Sequence, residues 1–149
     1  DGRAVSNFIV QALTTGALTV HGDGSQSRSW GYVDDVIEGL ERFFWRDRIS
    51  PAGPVNIGND IEVPVIEIAN YVRSLVPGSR IEYREPAPHD PSNRCPDLTM
   101  ARQLMPGWRA GTTYQDGIRR TFEWFREQLA APSVAVEPGP REISRALAG

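Results

Sequence analysis

The 149-residue sequence predicts an α/β fold. Three observations carry that expectation. Helical stripes alternate with short apolar strands, glycine and proline turns separate them, and only three or four strands are legible. That number is too small for a complete doubly wound sheet.

Taken in order, Val5, Phe8, Ile9 and Ala12 recur at helical spacing, so residues 4–15 read as an amphipathic helix ended by Gly16. "LTVHG", residues 18–22, is a short strand, and "GDG" supplies turn chemistry. Residues 27–32 form a further strand. Asp34 or Asp35 then caps a helix with the stripe Val36, Ile37, Leu40, Phe43 and Phe44. "VNIG", residues 55–58, is an apolar strand, and Pro64 opens a helix whose face is Val65, Ile68, Ala69, Val72 and Leu75. "RIEYRE", residues 80–85, alternates as a strand. "PAPHDPSNRCP" is a proline-rich loop, after which Asp97 caps a short helix running to Leu104. The last helix, residues 113–130, buries Tyr114, Ile118, Phe122, Phe125 and Leu129. Residues 132–149 read as a flexible tail.

Hydrophobic residues make up 40% and charged residues 23%, which is ordinary for a globular chain. No apolar run reaches the roughly 20 residues of a membrane span, and a net charge of −3 gives no reason to expect nucleic acid. The sequence opens "DGRAVSNFIV" without an initiator Met, which suggests a piece of something longer. One cysteine, Cys95, reads as a half-buried inert thiol in a reducing, cytoplasmic setting, and with His21 and His89 far apart no Cys/His metal site is expected. All sixteen basic residues are arginine. Chemistry that needs a lysine amine cannot be completed by this chain alone. Nor does a G-x-G-x-x-G follow any strand.

Two arginines stand out. Arg28 lies one strand before a helix start, and Arg94 lies in the proline-rich loop before another. A planar, permanently charged guanidinium suits a diphosphate, and a helix start adds its own attraction for an anion. The alternative is that both are solvated surface arginines. Asn56 and Asn59 flank the end of "VNIGN", where open α/β sheets receive ligands; either could instead satisfy turn backbone. His21 could stack on a base or fill an edge position. Asp34 and Asp35 look like paired carboxylates, but helix capping accounts for at least one.

Several segments, in order, resemble the C-terminal part of an extended short-chain dehydrogenase/reductase of the NAD-dependent epimerase/dehydratase family. They are "DGRAVSNFIVQAL", "LTVHGDGSQSRSWGYVDDVIEGL", "GPVNIGN", "HDPSNRCPD" and "ARQLMPGW" before a final helix, together spanning residues 1–129. The opening and the "HDPSNRCPD" loop are most similar to the UDP-glucuronate decarboxylase (UDP-xylose synthase) branch. The dTDP-glucose 4,6-dehydratases and nucleotide-sugar 4-epimerases share other elements and stay open, as does a non-catalytic nucleotide-sugar-binding module.

The resemblance implies that residues 1–131 are the substrate portion of an extended Rossmann-type enzyme, with the N-terminal NAD-binding core absent from this chain. It implies that Arg28 and Arg94 grip the nucleotide diphosphate from two sides, that Asn56 closes over the nucleotide end, and that His21 packs near uracil. Arg3 would approach the sugar carboxylate as a helper, and Val5 would line the substrate. No catalytic residue proper, NAD contact or metal ligand falls in the chain on this view, while a homodimer is implied at full length. In such enzymes NAD⁺ oxidises C4 of the sugar with a tyrosine as base. The β-keto acid loses CO₂, and NADH returns the hydride to give UDP-xylose. His89 and Met105-Pro106 depart from the family pattern, both in loops.

Overall fold

The computed structural model describes residues 4–46, 53–86 and 91–130. The first helix, α1 (Ala4–Thr14), ends where Gly16 takes a left-handed φ of 69°, and the amides of Thr15 and Gly16 both donate to the Gln11 carbonyl. Strand β1 (Ala17–His21) follows, then the Gly22-Asp23-Gly24 turn, β2 (Ser27–Ser29), α2 (Val33–Trp45) and β3 (Glu62–Pro64). Helix α3 (Val65–Leu75), β4 (Arg80–Arg84), β5 (Asn93–Arg94), α4 (Thr99–Leu104) and α5 (Tyr114–Ala130) complete the order.

Two small sheets result. In one, β1 and β4 run parallel with Leu18 opposite Ile81 and Val20 opposite Tyr83. A parallel pair needs a crossover, and α3 supplies it by packing on both strands. This is a β-α-β unit of the Rossmann type, held inside the chain. It corrects the expectation that a Rossmann-type core is absent here. The second sheet has the order β3-β2-β5, antiparallel on one side of β2 and parallel on the other.

The main core lies between α1, α3, α5 and β1. Ile9, Leu18, Val20, Ile68 and Val72 are fully buried there, with Phe8, Ala12, Ile118 and Phe122 around them. This matches the predicted stripes of α1 and α3. A smaller cluster gathers Leu98, Ala101, Met105 and Trp108 under Phe43, Val55 and Ile57. Among the described residues, no helix is long and apolar enough to cross a membrane.

Four expectations change. Residues 55–58 pair with no strand; Val55 and Ile57 are instead anchored by packing against the smaller cluster. Neither Asp34 nor Asp35 caps α2, because Tyr32 occupies that position and the aspartates lie within the first turn. The expected α2 stripe is largely uncovered, with Ile37, Leu40 and Phe44 exposed, and so is Leu129 on α5. Cys95 is exposed rather than half-buried, since it follows a two-residue edge strand. Arg3, His89 and the expected tail, residues 132–149, lie outside the described residues.

Candidate functional site

Strand β2 reads Ser-Arg-Ser, and its central residue faces a different neighbour on each side. Arg28 is opposite Val63 on β3 and opposite Arg94 on β5. Residues in register on parallel strands point to the same face, and neighbouring strands lie about 4.8 Å apart. Two guanidinium side chains therefore leave one face of one sheet side by side. Like charges so placed repel unless an anion or solvent separates them. Arg28 is half-buried, with its Nη1 donating to the Ser27 carbonyl at 2.6 Å, while Arg94 is exposed.

The surroundings fix both strands. Trp30 packs against the main core, and its Nε1 donates to the Val63 carbonyl at 3.3 Å. Ser29 Oγ donates to the Arg94 carbonyl at 3.3 Å, a direct tie between the two arginine-bearing strands. Ser27 Oγ donates to Glu62 Oε1 at 2.6 Å on the other side. Tyr32 packs against Gly117 of α5 and under the Arg120 guanidinium, so both aromatic residues after Arg28 are taken up in packing.

Asn56 is exposed, and its Nδ2 donates to the Asp97 carbonyl at 3.0 Å. It thereby joins the loop after α2 to the segment that follows Arg94. Asn59 is buried and works on backbone alone: Nδ2 donates to the Trp30 carbonyl, and Oδ1 accepts from the Ile61 amide, both at 3.0 Å. Of the two open readings for Asn59, backbone satisfaction is the observed one. His21 is exposed at the end of β1, with its Nδ1–H donating to the Glu85 carbonyl at 3.0 Å. Val5 packs half-buried on the main core from the first turn of α1.

Asp34 and Asp35 do not form a catalytic pair. Asp35 Oδ2 accepts the Thr112 amide at 3.0 Å and its carbonyl accepts Trp108 Nε1, whereas Asp34 stands 3.8 Å from Arg120. Asp97 does not hold the cap position of α4, which is Leu98, but from one residue earlier its carboxylate still accepts the Thr99 amide at 2.8 Å. The hydrogen bonds from Thr99 hold its carboxyl below the usual aspartate range. Among the described residues no His/Cys/Asp/Glu group could hold a metal ion.

A contact that sequence reasoning missed sits beside these. Arg102 Nη2 of α4 lies 2.5 Å from Asp60 Oδ2, and Cys95 Sγ donates to the Asp60 carbonyl at 3.4 Å. The pair borders a cleft of about 490 Å³ that also takes in Asn59, Trp108 and Arg109. Asp60 and Arg102 are 42 positions apart, with no local pattern to link them.

Comparison with known proteins adds the decisive likeness. Residues 1–58 match the NAD-dependent epimerase/dehydratase family. Over 133 residues the chain is 42% identical to UDP-glucuronic acid decarboxylase 6 of Arabidopsis thaliana, covering 89% of this chain and 38% of that protein. Among solved structures, the epimerase Mth375 of Methanothermobacter thermautotrophicus superposes with a TM-score of 0.77 at 27% identity, over 85% of this chain and 38% of the other. MoeE5 in complex with UDP-glucuronic acid and NAD superposes with a TM-score of 0.70 at 26% identity, over 83% of this chain and 41% of the other. The chain spans 28–38% of the length of the curated relatives it matches. The match at residues 1–58 completes the correction made from the fold: the NAD-binding core of this family is not to be treated as absent from the chain, nor the chain as a C-terminal part lacking it.

Proposed function

We propose that residues 1–131 form a nucleotide-sugar-binding unit of an NAD-dependent epimerase/dehydratase-type enzyme, and that the reaction served is decarboxylation of UDP-glucuronate to UDP-xylose and CO₂. The observation that carries this reading is the register pairing of Arg28 with Arg94. A diphosphate placed over that face accepts two charge-assisted contacts, each of about 1.5–3 kcal/mol. The similarity to UDP-glucuronic acid decarboxylases supports the sugar and the reaction.

Each residue then has a task. Arg28 and Arg94 hold the diphosphate, Asn56 closes the nucleotide end, and the His21 ring, steadied by Glu85, stacks near the base. Val5, in the first turn of α1, lines the sugar, and Arg3, two positions earlier in the sequence, is the helper toward its carboxylate. The value of this grip is orientation: a pinned UDP fixes which sugar carbon meets the hydride acceptor.

NAD is the cofactor this reading implies, and when bound it accepts and returns the hydride. The glycine turn after β1 does not fit a dinucleotide pyrophosphate, because a Cβ at Gly24 would lie 2.8 Å from Ile66 Cβ. That space is filled by α3, so no step is assigned to the turn. With no lysine in the chain, no step is assigned to a lysine amine either.

Calorimetry with UDP tests the grip. Arg28→Ala and Arg94→Ala should each weaken binding about ten-fold or more, since each removes a charge-assisted contact. Unchanged UDP affinity in both variants would remove the proposed site. The superposition on an epimerase favours a second reading, sugar epimerisation. Release of CO₂ from UDP-glucuronate with NAD⁺ present separates the two, because an epimerase releases none.

A further inference from the structure

The proposed grip needs its two arginines held at a fixed separation, and the sheet alone holds one of them weakly. Strand β5 has two residues, and among the described residues the strand it pairs with is β2, which places Arg28 in register with Arg94. So short a strand fixes the position of Arg94 through few backbone bonds.

The loop of residues 56–61 is tied to the segments that follow both strands. On the β2 side, buried Asn59 holds the carbonyl of Trp30, two residues beyond Arg28. On the β5 side, Asn56 holds the carbonyl of Asp97, three residues beyond Arg94. Asp60 makes the remaining two ties from a single residue. Its carbonyl receives the thiol of Cys95, which directly follows Arg94, and its carboxylate receives Arg102 of α4 at 2.5 Å. Helix α4 is itself fixed, since Ala101 and Met105 are buried in the smaller cluster. Asp60 thus connects a rigid helix to the residue next to Arg94.

We infer that the Asp60–Arg102 ion pair is a positioning latch that sets Arg94 against Arg28. The inference rests on the diphosphate reading given above, and neither latch residue touches the ligand in it. Asp60 and Arg102 are both well exposed to solvent, with side-chain exposures of 35% and 57%. An exposed ion pair adds little to global stability and is screened by salt, so the latch should act on binding far more than on unfolding.

The test uses the chain with UDP as the titrant. Asp60→Asn and Arg102→Gln should each weaken UDP binding about five-fold, a change of the size one exposed ion pair can carry. Arg102→Lys should retain most of the affinity. The charge-swapped double variant, Asp60→Arg with Arg102→Asp, should recover it to within about two-fold, which a general loss of stability would not do. Amide hydrogen exchange over residues 92–98 should quicken in the single variants while α1 and β1 stay unchanged. If the parent chain binds UDP and Asp60→Asn binds it equally well, the latch is overturned and the diphosphate reading stands. If affinity falls but the swap does not restore it, the pair has no positioning role. A parent chain that gives no UDP heat overturns the diphosphate reading itself.

Discussion

The cluster around β1 and the cluster around α4 are made of similar apolar side chains, yet they are enclosed very differently. Around β1, helices α1, α3 and α5 leave Ile9, Leu18 and Ile68 with no exposed surface. Around α4, Trp108 and Met105 are covered, but the adjoining α2 presents Ile37, Leu40 and Phe44 to solvent. The first region is held by packing that proceeds inward from three helices. The second sheet is joined by side chains that bond to backbone: Trp30 to Val63, Ser29 to Arg94, Asn59 to Trp30 and Asn56 to Asp97. Stability is concentrated in one region, whereas the other supplies geometry. The proposed binding residues Arg28, Asn56 and Arg94 all lie in the region held by polar ties.

The packed region around β1 should be the most sensitive to loss of a side chain. Ile68→Ala removes a fully buried side chain and should cost about 3 kcal/mol, read as a lower denaturation midpoint in urea. A loss below about 1 kcal/mol would show that this core is not the stabilising one. Next in size is Gly39→Ala on α2. An added Cβ would lie 2.5 Å from Trp108 Cζ2 and 2.6 Å from Ile57 Cγ2, so the smaller cluster must shift at a cost of about 2 kcal/mol. Because that cluster anchors α4, UDP affinity should fall along with stability, while hydrogen exchange in β1 should not change.

The smallest effect concerns acid. Thr99 holds the Asp97 carboxyl low, Ser25 does the same for Asp23, and Arg119 with Thr113 does so for Asp116. For a carboxyl whose folded pKa is depressed, the stabilising contribution is present above the unfolded value. It is lost as pH falls through the folded value. Midpoints measured between about pH 6 and pH 3 should therefore drop toward the acid end, and Asp97→Asn should flatten that slope slightly. An unchanged slope in the variant would mean the Thr99 contact carries no linkage.

Much of the packed region was legible in advance. The spacing of Phe8, Ile9 and Ala12, and of Ile68, Ala69 and Val72, is that of a one-sided helix, and each was found facing the core. Period alone failed where elements are too short to show one. Strands β3 and β5 have three and two residues, and the latter fell inside a stretch read as a loop. Residues 55–58 carry the apolar character of a strand but lack a ladder partner, because their side chains serve the Trp108 cluster instead. The arginines were picked out from charge and placement. That they share a register could be learned only from the pairing of β2 with β5. Asp60 and Arg102 gave no local signal at all.

The smaller cluster has one further consequence, which concerns light. Its Trp108 indole is 4% exposed, with the ring nitrogen bonded to the Asp35 carbonyl, while Trp45 at the end of α2 is 79% exposed. A quencher dissolved in water reaches the second ring and not the first. Once it has silenced Trp45 and the likewise exposed Trp124, the emission that remains comes from Trp30 on the main core and Trp108, and with Trp30→Phe its shift to the red on heating would time the opening of the smaller cluster without any label.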